Sequence, residues 1–272
     1  VQEILSIQYS LASAKAAIGR INKVLELKTE SDGDMELKDK KIDITLKNLT
    51  FSYTEDKTTL KNISFSIKSG EKVAIIGASG SGKTTISQLI AGFYAKNSGD
   101  ILYNDISIDN ISKKSLREHL FLVLQMPILF NNTLRFNLTM GENISNEKIK
   151  EALKIAQLNS MLENLPDGLD TIVGKMGIRL SGGQRQRLSI ARMILANPSV
   201  VIFDESTSAL DVQTETKLFE NLENILKDKT VITIAHRLST VKNASKIFVL
   251  EDGELVQSGT HMELEDEIGH YK

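Results

Sequence analysis

The stretch Gly77-Ala-Ser-Gly80-Ser-Gly82-Lys83-Thr84 decides the fold class of this chain. It follows the short apolar run 72–76 and precedes a helical run over 85–91. Glycines between a buried strand and a helix let backbone N–H groups wrap around an anion at the helix N-terminus. Lys83 can reach the terminal phosphates of a nucleotide, and Thr84 offers a hydroxyl to Mg²⁺. The predicted phosphate-binding residues are Gly77, Ala78, Ser79, Gly80, Ser81, Gly82, Lys83, Thr84 and Thr85.

The segments around this loop predict an α/β fold. Apolar runs of strand length recur along the chain, and between them lie residues at helical spacing, such as Ile149, Ala152, Leu153 and Ala156. Strands interspersed with helices favour a mostly parallel sheet. Before the loop, apolar residues alternate with polar ones, which predicts an added antiparallel sheet. The apolar runs are 120–124, 200–203, 231–235 and 247–250, and the alternating ones are 42–46, 49–53 and 63–67.

Composition excludes several classes of protein. The chain has 272 residues, 41% apolar and 25% charged, which excludes disorder and collagen-like structure. Its net charge of -2 provides no basic field, so nucleic acid is not an expected partner. The absence of cysteine excludes disulfides and thiolate metal sites, and the 4 histidines lack zinc-ligand spacing. No apolar stretch approaches the roughly 20 residues that span a bilayer.

The N-terminal segment predicts a separate amphipathic helix over 1–28. Its apolar residues follow three- and four-residue steps, which place them on one stripe. We interpret the helix as the tail of a preceding transmembrane helix, because the pattern has no N-cap; a coiled-coil arm is the alternative. The polar segment 29–40 is a predicted linker, so the main domain is expected over 41–272.

Two acids follow the apolar run 200–203. Asp204 and Glu205 would lie at the C-terminal end of a buried strand, where open α/β sheets bind ligands. Because neighbouring side chains on a strand point to opposite faces, we expect different roles for them. Asp204 is suited to Mg²⁺ through water, and Glu205 to orienting or deprotonating the attacking water. Taken without the phosphate loop, the pair could equally be two solvated acids.

Two other nucleotide-binding classes fit the sequence less well. A dinucleotide fingerprint beginning at Gly80 would need glycine in place of Thr85. A GTPase is disfavoured because the only Asn-Lys pair, Asn22-Lys23, precedes the loop and lacks an aspartate two residues on. Adenine nucleotide is therefore the expected ligand.

The run Leu180-Ser-Gly-Gly-Gln184 opens the helical segment 186–196. With this run, the chain resembles the nucleotide-binding domain of ATP-binding cassette (ABC) transporters over roughly 41–272. The resemblance implies a P-loop NTPase core, an antiparallel β subdomain and an α-helical signature subdomain at about 126–190. It also implies hydrolysis of ATP with Mg²⁺, at the cytoplasmic face of a membrane, to drive export.

The same resemblance assigns roles to further residues. Tyr53 matches the aromatic that stacks on adenine, although it could instead pack on its own strand. Gln125 matches a glutamine that contacts Mg²⁺ and water, with an ordinary exposed loop glutamine as the alternative. His236 matches a histidine that touches the γ-phosphate, with a structural role as the alternative. Asp211 ends the 208–211 loop, which would meet a second protomer.

The resemblance further implies a dimer. Ser181, Gly182, Gly183 and Gln184 would close over a nucleotide held by a second nucleotide-binding domain, in a homodimer or a heterodimer. A transmembrane domain would be fused upstream. The alternative is a soluble ABC ATPase of DNA repair, chromosome organisation or translation. A metabolite kinase is a third class, which leaves the 180–184 run unexplained.

One loop departs from the exporter pattern. Exporters usually carry Thr-x-Val-Gly-Glu-x-Gly shortly before the 180–184 run, but here the segment 171–177 has Lys175 in the position of the acid. In exporters this loop is expected to contact the transmembrane domain. The resemblance therefore does not extend to that contact, whereas the residues of the ATP site are unaffected.

Overall fold

The computed structural model describes residues 2–26, 32–204, 211–235, 241–266 and 269–271, which form two compact units, Val1–Asp32 and Gly33–Lys272. The first unit contains one helix, α1 (Gln2–Leu25). Its apolar stripe is exposed, as at Ile7, Leu11 and Ile18. Within the described ranges, no helix combines the length and the apolar character needed to cross a membrane.

The second unit contains strands and helices in alternation. Its strands are β1 (Ile44–Thr54), β2 (Lys57–Ile67), β3 (Lys72–Gly77), β4 (Ser98–Tyr103), β5 (Ile106–Ser107), β6 (Leu120–Val123), β7 (Asn132–Thr133), β8 (Ile172–Val173), β9 (Val200–Asp204), β10 (Thr230–Ile234), β11 (Lys246–Glu251) and β12 (Glu254–Gly259). Its helices are α2 (Lys83–Ile90), α3 (Lys113–His119), α4 (Leu134–Thr139), α5 (Asn146–Ile155), α6 (Asn159–Glu163), α7 (Gly182–Ala196), α8 (Val212–Leu226) and α9 (His261–Asp266).

The central sheet has six strands in the order β12-β11-β3-β10-β9-β6. All neighbours are parallel except the β11–β12 pair at one edge. Every residue of β9 is buried, as expected for a strand covered on both faces. This arrangement confirms the α/β fold with a mostly parallel sheet that the apolar runs predict.

A second, antiparallel sheet has the order β2-β1-β4-β5 and confirms the added β subdomain. The alternating runs 42–46 and 49–53, which the sequence presents as separate, share one strand, β1, which begins at Ile44 within the first run. Its pairing register with β2 shifts between Leu46 and Leu49, where Asn48 has a φ of 48°. Such a bulge inserts residues into the strand and interrupts the alternation, and asparagine tolerates the left-handed conformation.

Helices α4 to α7 surround a hydrophobic cluster of their own, distinct from the one under the two sheets. The buried residues of this helical cluster run from Leu134 to Ala191. The strand pair β7–β8 lies within the same part of the chain. This is the α-helical part of the fold, and it contains the start of α7.

The compact unit begins within the segment predicted as a linker. The main-chain N–H of Met35 donates to the oxygen of Asn110 at 2.9 Å, and the Met35 oxygen accepts from Ser112 at 2.8 Å. The Leu37 N–H donates to the Ser115 hydroxyl at 2.9 Å. Polar composition alone does not reveal these contacts, because main-chain hydrogen bonds can hold a polar segment against a domain.

Candidate functional site

The phosphate-binding loop connects β3 to α2, and its backbone requires glycine. Gly80 and Gly82 have φ of 84° and 102°, which L side chains rarely adopt. A Cβ on Gly77 would lie 2.1 Å from the Leu250 oxygen, and one on Gly82 would lie 2.5 Å from Leu60 Cδ2. A side chain at either position would force the loop or its neighbours to move. The glycines therefore keep the loop close to the sheet and its N–H groups accessible.

Two buried side chains test whether the loop fits a phosphate. Lys83 is 5% exposed, and its Nζ donates to the oxygens of Gly77 and Ala78 at 2.8 Å each. The Ser81 hydroxyl is buried and has no hydrogen-bond partner among the described residues. A buried polar atom without a partner is uncommon, and an anion at the N-terminus of α2 would supply one. The donors of this loop therefore fit a nucleotide phosphate.

Two of the three predicted Mg²⁺ ligands, Thr84 and Asp204, lie side by side. Asp204 is the last residue of β9 and is 4% exposed. Thr84 donates its hydroxyl hydrogen to Asp204 Oδ1 at 3.2 Å. Hydroxyl and carboxylate oxygens are the ligands that Mg²⁺ takes beside nucleotide phosphates. The pair therefore fits the metal that the sequence predicts.

Other predicted residues follow the same edge of the central sheet. Because β3, β10, β9 and β6 are parallel neighbours, their C-terminal ends lie along one edge. Gln125 follows β6 and is exposed, and its main-chain oxygen accepts a hydrogen bond from Gln186 Nε2 at 3.1 Å. Glu205 follows β9, but both it and His236 lie outside the described residues.

Tyr53 is both packed and accessible. Its ring makes edge contacts with Phe51 and Tyr94, at centroid distances of 4.9 and 5.2 Å. Its hydroxyl lies 3.1 Å from Thr85 Oγ1 and donates to Gln88 Oε1 at 3.1 Å. The residue is nevertheless 50% exposed. These contacts fix the ring beside the phosphate loop and leave part of it open for stacking against a base.

The 180–184 run forms the start of α7. Ser181 is the N-cap: its hydroxyl accepts from the Gln184 N–H at 3.2 Å, while Gln184 Oε1 accepts from the Ser181 N–H at 2.8 Å. This capping box orders residues 180–184, the Ser181 turn, and leaves Ser181 exposed. Leu180 and Leu188 anchor the turn in the helical cluster. The turn thus belongs to a different part of the fold from the phosphate loop.

Asp211 caps the next helix, α8. Its carboxylate accepts from the Thr214 N–H at 2.9 Å and from the Thr214 hydroxyl at 2.7 Å. The side-chain bond from Thr214, followed by the backbone bond, lowers the pKa of Asp211. Burial lowers the pKa of Arg187 on α7, and the charge of Asp211 partly opposes that shift. Asp211 therefore carries a negative charge next to the helix that begins at the Ser181 turn.

The sequence reasoning missed two residues of this site. Gln88 accepts from Tyr53, and a helical projection could have found it, because Thr85 and Gln88 are three residues apart on α2. Gln186 bonds the Gln125 main chain, but no sequence pattern links residues so far apart. The structure brings together the phosphate loop, the Thr84–Asp204 pair and Tyr53, and it holds the Ser181 turn in the helical cluster.

Comparison with known proteins identifies the family. The ABC transporter family model matches residues 60–208. The chain is 41% identical to the ATP-dependent lipid A-core flippase of Syntrophus aciditrophicus (strain SB), over 98% of this chain and 44% of the relative. It is 42% identical to the flippase of the same name from Legionella pneumophila (strain Paris), over 98% of this chain and 45% of the relative.

A solved structure resembles the whole fold. The structure of a bacterial Atm1-family ABC exporter with ATP bound superposes with a TM-score of 0.85, at 35% identity, covering 93% of this chain and 45% of that one. The chain spans less than half the length of these relatives. The family match, which covers more than half of the chain and includes the phosphate loop and the Ser181 turn, shows that this chain belongs to the ABC transporter family.

Proposed function

We propose that this chain is the ATP-binding and ATP-hydrolysing domain of an exporter. It works in a dimer with a second nucleotide-binding domain, identical or different, at the cytoplasmic face of a membrane. The observation that carries the proposal is the phosphate loop, in which the buried Lys83 ammonium donates to two carbonyl oxygens and the buried Ser81 hydroxyl has no hydrogen-bond partner among the described residues. ATP phosphates would satisfy these donors.

Binding begins with groups that are already in place. Tyr53 stacks on the adenine, held by its contacts with Phe51 and Tyr94. Lys83 leaves the loop carbonyls for the β- and γ-phosphates, where a full negative charge makes a stronger bond than a carbonyl oxygen does. The loop N–H groups and the N-terminus of α2 bind the remaining phosphate oxygens.

The hydrolytic step uses groups at the edge of the central sheet. Thr84, Asp204 and Gln125 would hold Mg²⁺, which when bound would neutralise part of the negative charge of the nucleotide phosphates. Glu205 orients the attacking water and accepts its proton, and His236 contacts the γ-phosphate. The phosphate bond breaks with ADP as the leaving group, and Lys83 stabilises the charge that develops there.

The Ser181 turn implies that one chain is an incomplete catalyst. An ATP on the phosphate loop leaves its γ-phosphate open, and the hydroxyl of Ser181 with the N–H groups of Gly182 and Gly183 can cover an anion at a helix N-terminus. In this chain the turn is exposed and anchored in the helical cluster. We therefore propose that the turns of two chains close over each other's ATP, with Asp211 near the boundary.

Closure would drive transport. The proteins named lipid A-core flippase and Atm1-family exporter have a region like this chain within a longer polypeptide. We propose that 41–272 is the ABC domain, that 126–190 is its signature subdomain, and that α1 continues a transmembrane domain fused upstream. The soluble ABC ATPase is not favoured, because these relatives are transporters by name and match nearly the whole chain.

The variant Glu205→Gln tests the proposal. Removing the base should stop hydrolysis but leave the phosphate loop able to bind Mg-ATP, so the variant should accumulate as an ATP-bound dimer. Multi-angle light scattering with ATP would measure the mass, and release of phosphate would measure the activity.

The matched control is Glu220→Gln, which makes the same change at an exposed glutamate on α8. It should hydrolyse ATP like the unaltered chain and, because hydrolysis lets the closed dimer separate, it should not accumulate as a dimer at the same concentration. A Glu205→Gln chain that binds ATP but scatters only as a monomer would contradict the dimer.

A further inference from the structure

A half-buried arginine lies among carbonyl oxygens beside the helical cluster. The guanidinium of Arg192, on α7, donates from Nε to the main-chain oxygen of Asn137, from Nη2 to the Asn137 side-chain oxygen at 3.1 Å, and from Nη1 to the Ile128 oxygen at 3.1 Å. Burial lowers the pKa of Arg192 to about 10, so the side chain remains protonated near neutral pH. One cation thus connects α7 to α4 and to the loop before α4.

Asn137 extends this connection along the loop. It is fully buried, and its Nδ2 donates to the oxygens of Phe130 and Thr133 at 3.0 Å each. Its Oδ1 accepts from the Phe130 N–H at 2.9 Å as well as from Arg192. Main-chain groups of Ile128, Phe130 and Thr133 therefore bond to one pair of side chains, those of Asn137 and Arg192.

The start of this loop is held by the same helix. Gln186 on α7 is 2% exposed, and its Nε2 donates to the main-chain oxygen of Gln125 at 3.1 Å. Arg192, further along α7, binds Ile128. The segment 125–128 is thus fixed at both ends to one helix, and that helix begins at the Ser181 turn.

We propose that Gln186 and Arg192 are positioning residues that fix the segment 125–128 to α7. The inference rests on the proposed function, in which Gln125 contacts Mg²⁺ and the attacking water. A movement of the Ser181 turn would reach Gln125 through these hydrogen bonds. Arginine suits the task because its planar fork bonds several carbonyl oxygens at once, whereas the single nitrogen of lysine cannot span the same set.

The test compares Arg192→Lys with Arg135→Lys in the 272-residue chain. Arg135 lies on the neighbouring helix α4 and makes a partly exposed ion pair with Asp170, at 3.1 Å, outside the network. Hydrogen exchange of 125–133 reports whether the segment is held. Nucleotide affinity, measured with a fluorescent ATP analogue, and the steady-state rate of phosphate release separate binding from turnover.

Arg192→Lys should expose 125–133 to faster exchange while β9 and α2 keep their protection. Its kcat should fall roughly 10- to 100-fold, because a small displacement of Gln125 from the reacting atoms is enough for that loss. Its affinity for nucleotide should change by less than about twofold. Arg135→Lys should leave all three quantities unchanged. Gln186→Leu should also speed hydrogen exchange, but only at 125–128. If Arg192→Lys fails to fold, Gln186→Leu provides the test instead.

Two failures would be distinguishable. If the unaltered chain did not hydrolyse ATP, the proposed function would be wrong. If exchange at 125–133 were the same in Arg192→Lys, Gln186→Leu and Arg135→Lys, the positioning role would be wrong even in an active ATPase. Equal losses of nucleotide affinity and of kcat in Arg192→Lys would also overturn it, because a general loss of structure would explain them.

Discussion

At the scale of single residues, Tyr53 illustrates how packing and binding can share one side chain. The sequence offers a choice between a ring that packs on its strand and a ring that stacks on a base. In the structure, Phe51 and Tyr94 contact the ring by their edges, and the Thr85 and Gln88 side chains bind its hydroxyl. The two roles are compatible, because these contacts leave half of the residue exposed.

We expect Tyr53→Ala to weaken ATP binding by about 1–3 kcal/mol, the typical value of a base–aromatic stack. Tyr53→Phe keeps the ring and loses only the hydrogen bonds to Thr85 and Gln88, so its affinity should fall much less. Titration with a fluorescent ATP analogue measures both. Phe93→Ala removes another exposed ring and serves as the control; an equal loss in Phe93→Ala and Tyr53→Ala would contradict stacking.

At the scale of elements, helix N-termini recur with the same local chemistry but different roles. Ser112, Ser145 and Ser181 are the N-caps of α3, α5 and α7, and each accepts from a main-chain N–H three residues on. Only Ser181 is followed by two glycines, which leave the N–H groups of the first turn uncovered by side chains. A serine cap is therefore not enough to make an anion-binding turn. The two glycines after Ser181 distinguish this turn from the other two.

Ser181→Ala and Ser145→Ala should both lower the free energy of unfolding by about 1 kcal/mol, because each removes one capping hydroxyl. Only Ser181→Ala should also reduce ATP turnover, by roughly tenfold or more, since in the proposed dimer it would remove a donor from the γ-phosphate of the partner's ATP. Urea unfolding and phosphate release measure the two effects. A similar fall in turnover in Ser145→Ala would mean that stability alone explains the loss.

At the scale of the whole molecule, the two halves of the proposed catalytic unit lie in separate hydrophobic clusters. The phosphate loop connects elements of the sheet cluster, and Leu180 and Leu188 anchor the Ser181 turn in the helical cluster. Gln186 and Arg192 connect the helical cluster to the segment after β6. This division would let one part of the domain present a nucleotide while another part covers the nucleotide of a second domain in the proposed dimer.

ATP turnover per molecule should therefore fall as the chain is diluted below the dissociation constant of its dimer. In the proposed dimer a complete site needs two chains, so the rate would follow the concentration of dimer rather than of chain. Phosphate release measured over a wide range of protein concentration checks this. A turnover that stays constant on dilution, with the chain monomeric by light scattering, would contradict the shared site.

The sequence by itself determined the local parts of this protein: the phosphate loop, the parallel strands, the start of α7 and the position of Asp204 at the end of a buried strand. These follow from short patterns, because glycine conformations, strand burial and helix capping depend on neighbours in the chain. Only the tertiary structure decided that β1 continues through a bulge at Asn48, that Met35 and Leu37 pack on the domain, and that Arg192 holds the loop after Gln125. Those contacts join residues far apart in sequence, and the geometry that selects their partners exists only once the sheets and helices have packed together.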